Sequence, residues 1–240
     1  MLQSSLALAL LLLGSAPAHA VGPTFITGGN LGSATWLAAD SPYIVQGDAT
    51  VQAGATLVIQ AGVEVRFASS DGQVAGLDTS DVELTIAGAL DAQGTVNSPI
   101  VFKADSGAAA ATWYGLVFTN TASSITLSNA TIQHGQYGIR TDAPAATISS
   151  VSIDTVSVAG FYSEGGEPTV DGLTVTGAQY GVQLVSDGDI ALSNCLIANN
   201  SSYGIYATNA TDIGVATIDH CTLDNNFYGF YSNNNSSSNY

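Results

Sequence analysis

Charge is what this 240-residue chain has least of, and positive charge above all. Charged residues make up 9% of it, against roughly 25% in an ordinary soluble domain. Three Lys and Arg face nineteen Asp and Glu, for a formal net charge of −16. That balance excludes nucleic acid and anionic membranes as partners, since both need a basic face to displace counterions. A single Met excludes a Met-rich adaptable surface or metal relay. No window shows helical spacing with caps, and no run reaches the ~20 apolar residues of a membrane span. What the chain does have is 46% hydrophobic residues and 26 Gly, too apolar for a disordered chain.

The apolar run Leu6–Leu13 (LALALLLL), followed by Ala18-His19-Ala20, reads as a signal peptide over residues 1–20. Its first residues, MLQSS, lack the usual Lys or Arg. The expected location is secreted, extracellular or cell-surface, with the periplasm as the alternative. No Cys follows the cleavage site to carry a lipid.

A Gly followed by an apolar residue recurs at Gly115, Gly138, Gly160, Gly181, Gly204 and Gly229, at intervals of 23, 22, 21, 23 and 25. A second ladder, LSNATI from Leu127, ISSVSI from Ile148, VDGLTV from Val170, LSNCLI from Leu192 and IDHCTL from Ile218, keeps the same drift. Each repeat holds three short alternating stretches, which means strands. Three strands in about 22 residues are too few for a propeller blade and suit one coil of a parallel β-helix. The third ladder position (Asn129, Ser150, Gly172, Asn194, His220) then marks a left-handed corner.

Stacked coils put like side chains above like. Leu116/Ile139/Phe161/Val182/Ile205/Phe230 and Ile132/Ile153/Val175/Ile197/Leu223 are the expected core columns. Tyr114, Tyr137, Tyr180, Tyr203 and Tyr228 form a column read as a structural aromatic ladder rather than a sugar platform. Asn199-Asn200 and Asn225-Asn226 read as hydrogen-bonding turn ladders. Residues 21–110 are expected to form longer coils of the same solenoid, residues 111–231 the regular ones, and 232–240 a Ser/Asn-rich tail. About eight coils follow.

The segments SPYIVQGDATVQAGATLVIQAGVEVRF at 41–67, GALDAQGTVNSPIVF at 88–102 and the NNSSYGI-type coils from 199 resemble bacterial secreted right-handed parallel β-helix repeat proteins with a pectin-lyase-like fold. The resemblance implies an all-β solenoid. It leaves function open, because this fold hosts lyases, hydrolases, adhesins and accessory proteins.

Polysaccharide lyases of the family use Arg or Lys as base, often with Ca²⁺ held by carboxylates. Among Arg66, Lys103 and Arg140, the first two end apolar strands, whereas Arg140 alternates outward with Asp142. One coil on, Tyr162 and Glu164 take the matching positions. Arg140, Asp142 and Glu164 are therefore the candidate catalytic residues, weighed against a plain surface ion pair worth about 0–1 kcal/mol. The Gly-His-Gly turn of the family's hydrolases is missing, since His134-Gly135 follows Gln133.

His134 and His220 sit at different corners and make no metal site. No cofactor is expected beyond weak Ca²⁺ at Asp78/Asp81 or Asp187/Asp189. Cys195 and Cys221 share a ladder position in successive coils, so they are either a disulfide pair or stacked free thiols. One Thr-x-Thr in five coils, at Thr174 and Thr176, is no ice-binding array. No capping helix precedes the tail, so self-association through the C-terminal end, or continuation in a longer chain, is expected. The expected function is a non-catalytic surface module, structural or binding a polysaccharide or cell-surface glycan. The alternative is a polysaccharide lyase using Arg140.

Overall fold

Alternating stretches become short strands, each pairing in parallel with its counterpart one coil later. A computed structural model describes residues 22–185, 190–208 and 217–233. The segment read as a signal peptide, Asp187 and Asp189, and residues 234–240 of the tail lie outside the described residues. Nine strands, from Gly29–Leu31 through Tyr137–Thr141 to Tyr228–Asn233, form sheet B. Fifteen strands form sheet A, in which two strand columns merge where Ser124–Gln133 and Ala146–Asp154 run through the corner unbroken. The architecture is the expected right-handed parallel β-helix. Among the described residues its helical content is one 3-10 turn, Ala38–Asp40. Sheet B counts nine rungs where about eight were expected, the first two resting on the three-residue strands Gly29–Leu31 and Ala49–Val51.

Both core columns form in the expected register. From Leu116 to Ile205 and from Ile132 to Ile197 they are buried. The corner residues Asn129, Ser150, Gly172, Asn194 and His220 all take left-handed φ, between 45° and 67°. The Gly-apolar repeat has a steric cause. A Cβ on Gly160 would strike the Val175 side chain and sit 2.8 Å from the Gly181 carbonyl, so no side chain fits at this position. Between rungs, Asn200 Oδ1 accepts from the Ala178 N–H (3.0 Å) and Asn200 Nδ2 donates to Asn226 Oδ1 (2.9 Å). Asn225 Nδ2 donates to Asn199 Oδ1 (2.6 Å). The turn ladders are thus hydrogen-bonded chains.

Pairing of Leu196 with Thr222 aligns Cys195 with Cys221, and both are free thiols. Cys195 Sγ approaches the Ser193 carbonyl (3.2 Å), and Cys221 Sγ approaches those of Asp219 (3.3 Å) and, on the preceding rung, Leu192 (3.7 Å). The longest connection between strands, residues 68–82 between Glu64–Phe67 and Glu83–Ile86, carries no strand of its own.

Candidate functional site

Arg140 lies in strand Tyr137–Thr141, where Gly138, Ile139 and Thr141 are buried and Arg140 is partly exposed. Its register partners are Val117 on the rung before and Tyr162 on the rung after. Arg140 Nε donates to Glu164 Oε2 (3.0 Å), Nη2 donates to Glu164 Oε1 (2.8 Å) and Nη1 donates to the Tyr114 hydroxyl. The guanidinium carbon stands 5.9 Å from the Tyr137 ring centroid and 5.3 Å from that of Tyr162, a cation–π arrangement. Burial works against its charge, but the Glu164 and Tyr114 bonds outweigh burial and raise its pKa further. Burial in turn pushes the Tyr114 hydroxyl up to about 12.

Arg140, Glu164 and Tyr162 therefore meet as the alternation predicted. Asp142 lines the same cavity, of about 160 Å³, together with Leu77, Val117, Thr119 and Glu164, but the Arg140 nitrogens go to Glu164 and Tyr114. Sequence reasoning placed Tyr114 and Tyr137 in a separate column and missed their reach to Arg140.

The other two cations sit on sheet A. Lys103 pairs with Arg66 in register, Lys103 Nζ lies 3.2 Å from Glu64 Oε2, and Arg66 contacts both Glu64 and Asp105. Burial opposes ionisation of Glu64, yet these two cations hold its pKa below the usual value. Every Lys and Arg of the chain is thus paired with a carboxylate.

Two family models match the chain. A right handed beta helix region covers residues 108–240, and a pectate-lyase like beta helix domain covers residues 29–152. Each spans more than half of the sequence. The chain belongs to the right-handed β-helix family. No curated protein and no solved structure matches it.

The outer face of this β-helix protein is tyrosine-rich towards its later rungs. Tyr180 and Tyr203 stack at 5.7 Å and 9°, Tyr203 and Tyr228 at 5.0 Å and 20°, and Tyr206 and Tyr231 at 5.6 Å and 15°. The ring faces are turned on one another, so edges and hydroxyls are left for solvent. This is a structural ladder, as expected, and a poor platform for laying a sugar ring flat.

Asp78 and Asp81 both accept hydrogen bonds within the chain. Gln136 Nε2 donates to both, at 3.1 and 2.7 Å, which ties residues 68–82 to the turn before strand Tyr137–Thr141. His134 takes a left-handed corner (φ 69°), and burial lowers its pKa. No helix among the described residues is long and apolar enough to cross a membrane.

Also missed were Asp48 and Glu83, which sit in register with Gly115 at the head of the glycine column. Two acids where later rungs admit no side chain was the available signal.

Proposed function

We propose that this β-helix is an exported, non-catalytic module whose sheet B face engages a hydroxyl-rich surface, a polysaccharide or cell-surface glycan. The pairing of all three cations carries the reading. A lyase cation must meet the carboxylate of a uronate and take part in moving its proton. The Arg140 guanidinium is already satisfied by Glu164 and held protonated, and a net charge of −16 repels an acidic polymer. Tyrosine hydroxyls and edges offer hydrogen bonds without a cationic field, which suits a neutral polymer. The apolar leader at Leu6–Leu13 supports export. The cavity beside Arg140, Asp142 and Glu164 is the observation that favours the lyase alternative.

The test pairs two measurements. Unsaturated-uronate absorbance is followed on pectate and alginate, with and without Ca²⁺, and no turnover is expected. Affinity electrophoresis through gels holding neutral polysaccharides is expected to retard the protein, and Tyr206→Ala or Tyr231→Ala to relieve the retardation. Turnover that vanishes in Arg140→Ala would replace this reading with the lyase.

A further inference from the structure

Asp48 is 6% exposed, and only one of its carboxylate oxygens is bonded: Oδ1 accepts from the Glu83 N–H at 2.8 Å, while Oδ2 is buried without a partner. Glu83 is 3% exposed; its Oε1 accepts from the Thr85 hydroxyl (2.8 Å) and its Oε2 from the Leu77 N–H (3.0 Å). The two acids occupy one column on neighbouring rungs. A methyl placed on Gly76 would lie 2.5 Å from Asp48 Oδ2 and 2.7 Å from Glu83 Oε1, so both oxygens crowd one point beneath the loop backbone. Two bare carboxylates so placed repel each other, and burial removes the water that would screen them. One proton between them turns repulsion into a hydrogen bond and satisfies the unpartnered oxygen.

The loop above them, residues 68–82, buries only Val82 and leaves Val74 and Leu77 more than half exposed. Polar contacts hold it instead. Asp71 accepts from the N–H groups of Asp48 (3.0 Å), Gln73 (2.8 Å) and Ala75 (2.9 Å), Leu77 donates to Glu83, and Asp78 and Asp81 accept from Gln136. A segment with so few buried apolar contacts opens locally at low cost. Leu77 is also a wall of the Arg140 cavity.

We propose that residues 68–82 are a proton-latched lid on sheet B: a proton shared by Asp48 and Glu83 holds Gly76 and Leu77 down, and its loss frees the loop and widens the Arg140 cavity. The groups around Asp48 set the direction. Glu83 faces it from the next strand, Asp71 and Asp78 from the loop, and Arg140 and Tyr114 reach only Glu83. Burial, reinforced by the three neighbouring acids, raises Asp48 to about 6, and burial raises Glu83 as well. The lid is therefore closed in mildly acidic solution and released near neutrality, whatever the face binds.

Hydrogen exchange tests this, read as protection factors for residues 68–82 after correction for intrinsic rates. Between about pH 5 and about pH 7.5, protection at Leu77 should fall roughly tenfold, since with a pKa of about 6 the ionised fraction of Asp48 rises from about a tenth to nearly all over that range. Asp48→Asn puts a permanent donor opposite Glu83 and should hold protection level across that range. Glu83→Gln, whose amide would face Asp48 Oδ2, serves the same purpose if the first variant fails to fold. Unchanged wild-type protection would overturn the proposal, as would an equal fall in Asp48→Asn. So would a loss shared by core strands such as Gly115–Phe118, because a latch acts on the loop alone. Restoration of protection at the higher pH by added Ca²⁺ would also overturn it, making the pair a cation site.

Discussion

Arg140 and Glu164 belong to successive rungs of one face and meet through two parallel bonds of 3.0 and 2.8 Å. The geometry matches the planar fork of a guanidinium to a carboxylate, with tyrosines on either side. Glu164→Gln keeps the shape and removes the countercharge. It should cost about 1–2 kcal/mol, less than for a fully buried pair because both side chains are partly solvated. For a chain of this size each kcal/mol lowers Tm by about 2–4 °C. Scanning calorimetry reads the loss. Adding Arg140→Met to Glu164→Gln should recover part of it, since no unpaired cation remains. A double variant as unstable as the sum of the singles would show that the two residues do not act as a unit.

Asn200 and Asn225 look alike in the sequence and should differ sharply when replaced. Asn200 is 2% exposed, and its amide caps the Ala178 N–H of the preceding rung. Asn200→Ala strands that donor in the interior and should cost about 2–3 kcal/mol. Asn225 is exposed, with φ 47°, so Asn225→Gly keeps the backbone at ease and should change stability by no more than about 0.5 kcal/mol. Urea titration of the two variants side by side decides it. Equal effects would mean the inner ladder holds no more than the outer one.

Rung register was legible because the same steric demand recurs at each coil. Gly138, Gly160, Gly181 and Gly204 are kept small by the next strand, and Leu127, Ile148, Val170, Leu192 and Ile218 repeat one inward position. Alternation also brought Arg140 and Glu164 together, since Arg140 is an outward residue of strand Tyr137–Thr141 and Glu164 directly follows its partner strand, Ala159–Ser163. Tyr114 was not legible, as its contact depends on a long side chain reaching along the face from the rung before. The Asp48–Glu83 pair was hidden by the loop at 68–82, which breaks the period and places the partners 35 residues apart. The spacing of Cys195 and Cys221 told that they stack but not which way each thiol turns.

Those thiols should react unequally. Cys195 is 2% exposed, and burial, with Cys221 beside it, pushes its pKa up to about 12. Cys221 lies at the last described rung and is partly accessible. The thiolate is the reactive form, so an aromatic disulfide reagent should label Cys221 in the folded protein and Cys195 only after unfolding. Peptide mass mapping after brief labelling distinguishes the sites. Rapid labelling of both would refute the burial of Cys195, and labelling of neither before reduction would mean the pair is oxidised.

Overall stability should fall as pH rises from about 4 to about 6, the reverse of the usual behaviour of acidic residues. Folded Asp48 keeps its proton up to about 6, whereas the unfolded chain releases it near 3.8. The native state therefore binds more protons inside that window, and stability drops with pH until Asp48 is ionised in both states. Glu83, also raised by burial, adds to the fall. Asp71 acts in the opposite sense: burial opposes its charge, but backbone N–H groups of Gln73, Ala75 and Asp48 lower its pKa, so its contribution is present above the ordinary carboxylate range and lost as pH decreases. Opposed slopes give a stability maximum near about pH 4–5. Urea midpoints measured across about pH 3–8 in wild type and Asp48→Asn would locate it. The variant, with nothing to ionise at position 48, should lose much of the falling limb while keeping the acid-side rise. A wild-type curve that climbs steadily to neutrality would mean that Asp48 is ionised in the native state throughout.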